Sequence, residues 1–283
     1  LALVMVGACL HALWNLLAKK AAGGLPFVWL YGAVGVMVML PFGIADWGGV
    51  RQPLAQSVWI AIVASALVHI VYSLALQRGY RVSDFSIVYP VARGTGPLFA
   101  VLGAILLLSE MPSIAGWGGI ALILGGILLI SGNTRIASAS DKVRAGLIWG
   151  GITGLTIASY TVIDGWAMKA AGVTPVLYYG LSLALRTLIL APFALRDRHA
   201  LRAQWTKNGR HVIGVGVMSP LAYLLVLTAM QSAPVSYVAP VRELSMLLAV
   251  IFGACLLREA MTPARVAGAG CMVLGVILLA WAP

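Results

Sequence analysis

Ten apolar stretches, at about 2–18, 27–44, 57–77, 84–108, 113–132, 146–168, 175–195, 211–231, 235–257 and 264–281, fill this 283-residue chain almost end to end. Each is roughly 17 to 25 residues long, the length of helix that crosses a ~30 Å hydrocarbon core. In lipid a helix satisfies its own backbone donors and acceptors, which an open sheet edge cannot do. The sequence therefore predicts an all-α membrane protein with ten transmembrane helices, for which the lipid bilayer is the solvent. Composition agrees, because 61% of the residues are hydrophobic, 10% are charged and mean hydropathy is +0.98. A soluble domain would hold ~45–50% apolar and ~25% charged residues. The gaps are short and carry turn residues (Gly23-Gly24-Leu25-Pro26, Gly48-Gly49, Met111-Pro112, Thr262-Pro263), which leaves no room for a soluble domain.

The net charge of +11 does not indicate a nucleic-acid partner, because no Lys/Arg-rich block with interleaved aromatics is present. The basic residues sit instead in the gaps: fourteen after odd-numbered stretches and two, Arg51 and Lys169, after even-numbered ones. Since Lys and Arg collect on the cytoplasmic side, this count puts the odd gaps in the cytoplasm and both termini outside. The first stretch lacks a basic n-region and a cleavage site and reads as a mature helix. Cys9, Cys255 and Cys271 all lie in apolar runs with no C-x-x-C, which argues against a disulfide framework or a metal site and for small packing residues. No metalloprotease, hydrolase or phosphate-loop motif occurs, so neither catalysis nor a cofactor is expected and transport by this chain must run on a gradient or on exchange.

The chain also repeats itself. Lys20-Ala21-Ala22-Gly23 returns as Lys169-Ala170-Ala171-Gly172 at an offset of 149, as do Glu110/Glu259, Gly119/Gly268 and Gly126/Gly275, while Pro90/Pro240 match at 150. This predicts a first five-helix unit over 1–134 and a second over 142–283. Five is odd, so successive units enter the membrane from opposite sides as inverted repeats, an architecture of secondary transporters with the site at the repeat interface. The phrase Ser86-Ile87-Val88-Tyr89-Pro90-Val91, answered by Ser236-Tyr237-Val238-Ala239-Pro240-Val241, puts a proline in each half where the helix must bend or open, and makes Pro90 and Pro240 candidate hinges.

Charges inside spans need a partner or a wet cavity. Arg93, Arg186, Arg242, Glu243 and, nearer a span end, Asp164 are such charges. Arg93 aligns with Glu243 at offset 150, so a salt bridge across the two halves is expected, acting either as a helix clamp or as part of a substrate site. Candidate site residues around them are His11, Trp14 and Asn15 on helix 1, Tyr72 on helix 3, Tyr89 on helix 4, Tyr160 on helix 6 and Tyr223 on helix 8, together with Arg93, Arg242 and Glu243. His11 and Asn15 are four apart and share a helix face. Tyr72, Tyr89 and Tyr223 serve as cavity wall or core packing, and His69 reads as a packing residue. Gly118 and Gly126, and Ala267, Cys271 and Gly275, give helices 5 and 10 small faces for scaffold or dimer contact.

Trp14-Asn15 with Lys19-Lys20, the phrase Ser86 to Gly94, and Ala233-Pro234-Val235-Ser236-Tyr237-Val238-Ala239-Pro240-Val241-Arg242-Glu243 leading to Leu257-Arg258-Glu259 resemble the drug/metabolite transporter superfamily. They resemble in particular its ten-helix exporters with paired EamA-type domains, a group that includes amino-acid exporters of the YddG type. The resemblance covers nearly the whole chain and implies a bacterial inner-membrane exporter or exchanger with a central cavity between the halves. Members are often drawn with both termini in the cytoplasm, so the resemblance and the charge count leave both orientations open. Small four-helix relatives carry a membrane-embedded Glu in helix 1, where this chain has His11 and Asn15.

The expected function is secondary export of small metabolites, amino acids foremost, by alternating access, with a small-molecule substrate and a monomer or weak homodimer as the working unit. A multidrug or nucleotide-precursor exporter of the same fold is the alternative. An intramembrane lipid-modifying enzyme lacks a catalytic set, and a receptor or structural protein lacks a signalling domain.

Overall fold

A computed structural model of the chain describes residues 2–21, 23–48, 53–83, 85–131, 141–170, 172–246 and 263–281. These residues form helices and no strands: α1 (Ala2–Ala21), α2 (Gly24–Trp47), α3 (Gln56–Val82), α4 (Phe85–Leu108), α5 (Ile114–Ser131), α6 (Asp141–Ala170), α7 (Pro175–Leu195), α8 (Arg198–Met230), α9 (Val235–Arg242) and α10 (Pro263–Trp281). Six of them, α2, α3, α4, α6, α7 and α8, are long and apolar enough to cross a membrane, and α1, α5 and α10 contain shorter apolar stretches. The outer surface is apolar, with Leu106, Leu107, Leu188, Phe193 and Trp281 exposed, as a surface facing acyl chains should be.

Three sequence expectations change. The gap expected at 196–210 is helical from Arg198, because Asp197 accepts the Ala200 N–H (2.9 Å) as an N-cap, and the long helix bends at Asn208, whose φ of −128° and ψ of 19° leave the helical range. The ninth span is interrupted: α9 ends at Arg242, Glu243 sits at φ −74°, ψ 0° as its C-cap, and Leu244–Met246 resume as helix. The remainder of that expected span, with Cys255, Arg258 and Glu259, lies outside the described residues. The interruption expected at both prolines is found only after Pro240. Helix α4 runs unbroken from Phe85 to Leu108 through Pro90 and Pro97, held along its length by α6.

Because lipid is as apolar as leucine, helices here associate through close packing, and glycine sets how close they come. Gly146, Gly150 and Gly154 form a ridge-free stripe on α6: a Cβ at Gly150 would lie 3.0 Å from the Val88 carbonyl oxygen, and one at Gly154 would lie 3.1 Å from the Gly96 nitrogen. Backbone of α4 therefore lies directly on α6, and this contact brings Arg93 beside Tyr160. Helices α5 and α10 meet in the same way, since a Cβ at Gly119 would be 2.8 Å from the Gly275 oxygen and one at Gly126 would be 2.6 Å from the Gly268 oxygen. The contact face of α10 is therefore Gly268, Met272 and Gly275, whereas the expected Ala267 is exposed, Cys271 is half-buried and Gly118 sits at the edge. These small residues serve contacts within the chain. Cys9 faces outward and is not a packing residue.

Elsewhere α1 packs on α8, α3 on α6, and α2 on both α7 and α8. Both α4 and α6 also contact α9.

Candidate functional site

The closed centre begins at the expected ion pair. Arg93 on α4 (3% exposed) donates from Nη1 to both oxygens of Glu243 (0% exposed), at 3.1 Å to Oε2 and 3.3 Å to Oε1. Glu243 reaches α4 because α9 stops one residue before it, so its side chain leaves the helix end rather than a helix flank. The Arg242 Nε lies 3.5 Å from Glu243 Oε1, an ion pair without a hydrogen bond. One carboxylate thus faces two guanidinium groups.

Arg93 Nη2 lies 2.5 Å from His11 Nε2. An arginine has no acceptor, so Nε2 must offer its lone pair and the imidazole must be neutral with its proton on Nδ1. The Trp14 Nε1–H nevertheless points at Nδ1 from 3.2 Å. Two donors compete for the single lone pair of one ring. Asn15 spends its amide on the His11 carbonyl (2.8 Å), within its own helix. The Arg93 guanidinium also lies 5.2 Å from the centre of the Tyr89 ring, a cation–π contact.

A second group adjoins the first through Tyr160. The Arg242 guanidinium lies 5.9 Å from the centre of that ring, and His69 stacks on it at 4.0 Å. Tyr72 and Tyr223 close around it at 5.6 and 5.8 Å, and Tyr223 touches Tyr179 at 5.2 Å. Asp164, fully buried, accepts from the Tyr178 hydroxyl at 2.7 Å and from the Tyr223 hydroxyl at 2.5 Å. Arg186 donates to the Tyr179 hydroxyl at 2.9 Å.

The structure therefore gathers His11, Tyr72, Tyr89, Arg93, Tyr160, Tyr223, Arg242 and Glu243 into one buried body, with Trp14 and Asn15 tied to it through His11. Sequence reasoning passed over His69, Tyr178 and Tyr179, and left Asp164 and Arg186 outside the site. The available signal for the last two was a charge inside an apolar span, and Asp164 also aligns with Asn15 at offset 149.

One feature of this body is chemically incomplete. Nε and Nη2 of Arg242, buried at 2% exposure, have no hydrogen-bond partner among the described residues. Among those residues, the buried Arg93 and Arg242 are matched in number by Glu243 and Asp164, and the half-buried Arg186 at the edge adds a third cation. The centre itself is buried. Beside it a cavity of about 10 Å³, lined by Tyr31, His69, Ser73 and Arg186, has room for a single water molecule.

At one end of the bundle a clasp holds the start of α9. Ser109, with φ 54°, takes the left-handed conformation and turns the chain so that the Glu110 carboxylate accepts the Val235 and Ser236 N–H groups, both at 2.8 Å, and pairs with Lys169 Nζ at 2.6 Å. The Tyr237 hydroxyl accepts the Ser113 N–H at 3.2 Å beside Gly116, where any Cβ would collide with the ring. Partial burial pushes the Glu110 carboxyl up, but Lys169 and the two amides outweigh it and hold the group below the usual carboxylate range.

A helical bundle with an apolar outside and a charged, aromatic, closed centre has the build of a membrane carrier, since charge at that depth is kept where it meets a solute or ion. The EamA-like transporter family matches residues 1–132 and 144–281, and the chain belongs to that family of membrane transporters of small molecules. No curated protein matches the sequence. A solved crystal structure aligns with a TM-score of 0.74 at 17% identity, covering 99% of this chain and 98% of the other, which makes the fold the same.

Proposed function

We propose that this carrier exports small metabolites bearing a carboxylate, amino acids foremost, across the bacterial inner membrane by alternating access. The observation that carries this reading is Arg242. Its Nε and Nη2, without a hydrogen-bond partner among the described residues, lie beside the face of Tyr160, and a substrate carboxylate supplies an acceptor for them. His11, Trp14, Asn15, Tyr72, Tyr89, Arg93, Tyr160, Tyr223 and Glu243 form the rest of the binding body, and the aromatic rings suit an apolar side chain.

Inverted five-helix repeats over 1–134 and 142–283, giving ten crossings, are supported by the pairing of helices. Helices α2, α4 and α5 each pack on the helix five places later (α7, α9 and α10), and the α3–α6 contact is mirrored by α8–α1. That is the pattern a two-fold axis in the membrane plane produces. Pro240, next to the break at Glu243, is the pivot of one rocking half, and Pro90, inside an unbroken α4, is its counterpart in the other. The small faces of α5 and α10 are used internally, which favours a monomer over a weak homodimer as the working unit.

The test is counterflow in proteoliposomes with a panel of labelled amino acids, nucleosides and cationic drugs. Amino acids should exchange, Arg242→Gln should raise KM about tenfold or more through loss of a charge-assisted hydrogen bond worth about 1.5–3 kcal/mol, and Pro240→Ala should slow exchange at unchanged KM. Exchange of drugs or nucleosides alone would replace the amino-acid reading with the alternative, and an unchanged KM in Arg242→Gln would remove the carboxylate from that position.

A further inference from the structure

The carboxylates of the centre differ in kind. Glu243 is clamped by two guanidinium groups, so a proton added to it would strand two buried cations. Asp164 has no ion-pair partner among the described residues. It is held by hydroxyl groups only, those of Tyr178 and Tyr223, with Ser65 of α3 close by. Hydroxyls rotate, donating to a carboxylate or accepting from a carboxylic acid, so this environment tolerates both forms without moving a helix.

A route to it is also present. His69 Nδ1 lies 3.2 Å from the Ser65 hydroxyl and 2.9 Å from the Ser65 carbonyl oxygen, and His69 is part of the wall of the water-sized cavity of about 10 Å³ shared with Tyr31, Ser73 and Arg186. The other charged or titratable groups of the surrounding elements include Tyr72 on α3, Tyr89 and Arg93 on α4, Tyr179 and Arg186 on α7, Arg242 and Glu243 at the end of α9 and Tyr160 on α6 itself, and Arg186 is committed to the Tyr179 hydroxyl. The Asp164 position corresponds at offset 149 to Asn15, an amide that carries no titratable proton, so the two-fold arrangement holds this site once.

We infer that Asp164 is a proton-binding site, loaded from the water-sized cavity through His69 and Ser65, and that it couples the carrier to a proton gradient at one proton per cycle. The inference rests on the reading of the chain as a carrier, and it names the coupling ion. In the loading step a proton from water is taken by His69 Nε2, the Nδ1 proton passes to the Ser65 hydroxyl, and that hydroxyl gives its own proton to an Asp164 oxygen. A carboxylate and a hydronium become a carboxylic acid and water with no change of oxidation state, and the imidazole resets by exchanging its proton between nitrogens. Loading leaves the Arg93–Glu243 pair untouched.

The test compares wild type, Asp164→Asn and Asp164→Glu. Asn keeps both tyrosine contacts by accepting from one hydroxyl and donating to the other, so the variant should fold. Infrared difference spectra of the purified protein, recorded without any solute as pH is lowered, should show a buried carboxylic-acid band that is absent in Asp164→Asn and shifted in Asp164→Glu. In proteoliposomes, one proton per solute makes a one-unit pH gradient worth about tenfold accumulation of labelled leucine. Wild type and Asp164→Glu should show it, and Asp164→Asn should show none, with the infrared titration deciding the case in which that variant also fails to exchange leucine without a gradient. The same carboxylic-acid band in Asp164→Asn, or gradient-driven accumulation by that variant, overturns the inference. A wild type that moves no solute at all would defeat the carrier reading instead, while the infrared titration still decides whether Asp164 binds the proton.

Discussion

Glu243→Gln should be the most destabilising polar substitution in the centre, and it should exceed Arg93→Met. The reason is the count of partners. Arg93 reaches Glu243 through two contacts at 3.1 and 3.3 Å, and Arg242 lies 3.5 Å away, so neutralising Glu243 strands two cations whereas removing Arg93 leaves Glu243 still facing Arg242. Breaking one buried ion pair costs about 3–5 kcal/mol, which puts Glu243→Gln at the upper end of that range and Arg93→Met at or below the lower end. The double variant leaves only Arg242 unpaired and should recover part of the sum, with a coupling of about 1–3 kcal/mol. Thermal unfolding in detergent reads the series, with Glu243→Gln melting lower by roughly 10 °C or more, taking about 2–4 °C per kcal/mol for a chain of this size. If Arg93→Met proves as damaging as Glu243→Gln, or if the two effects simply add, the partner count is wrong. Transport by the double variant then separates the remaining roles: loss of exchange in a stable protein keeps the pair in the site, and parental exchange leaves it a helix clamp.

At the α5–α10 crossing, Gly119→Leu should destabilise by about 1–3 kcal/mol because its Cβ alone comes within 2.8 Å of the Gly275 oxygen; an unchanged melting temperature would show that the helices can part without cost. The Glu110 clasp should weaken in acid. Its carboxyl titrates below the usual range, so its contribution is complete at neutral pH and is lost as pH falls through that lowered value. Melting followed from about pH 7 to about pH 3 should therefore decline more steeply for wild type than for Glu110→Gln, and parallel profiles would refute the clasp.

Much of this could be read in the chain because lipid leaves few options. Span lengths point to membrane helices, a charge inside an apolar run points to a buried partner, and the Arg93–Glu243 contact was legible from positions matched at an offset of 150. What was hidden depended on local geometry. The start of α8 was concealed by the polar run from Arg198 to Arg210, which reads as a loop yet is helical with an aspartate cap. His69 looked like any buried histidine until Tyr160 was seen stacked on it. Which face of α10 meets α5 turns on one residue of register, and Ala267 and Gly268 are equally small by sequence.

The competition at His11 bears on how the carrier cycles. One lone pair is sought by both Arg93 and Trp14, while Nε and Nη2 of Arg242 have no acceptor among the described residues, and unmet donors of this kind cost about 1–3 kcal/mol each. For an empty protein this arrangement is a frustrated one, costing about 3 kcal/mol or more relative to one with those demands met. A passenger that meets them lowers the barrier in either direction. Such a machine returns slowly when empty and quickly when loaded, so efflux of labelled solute should accelerate when unlabelled solute is offered on the opposite side.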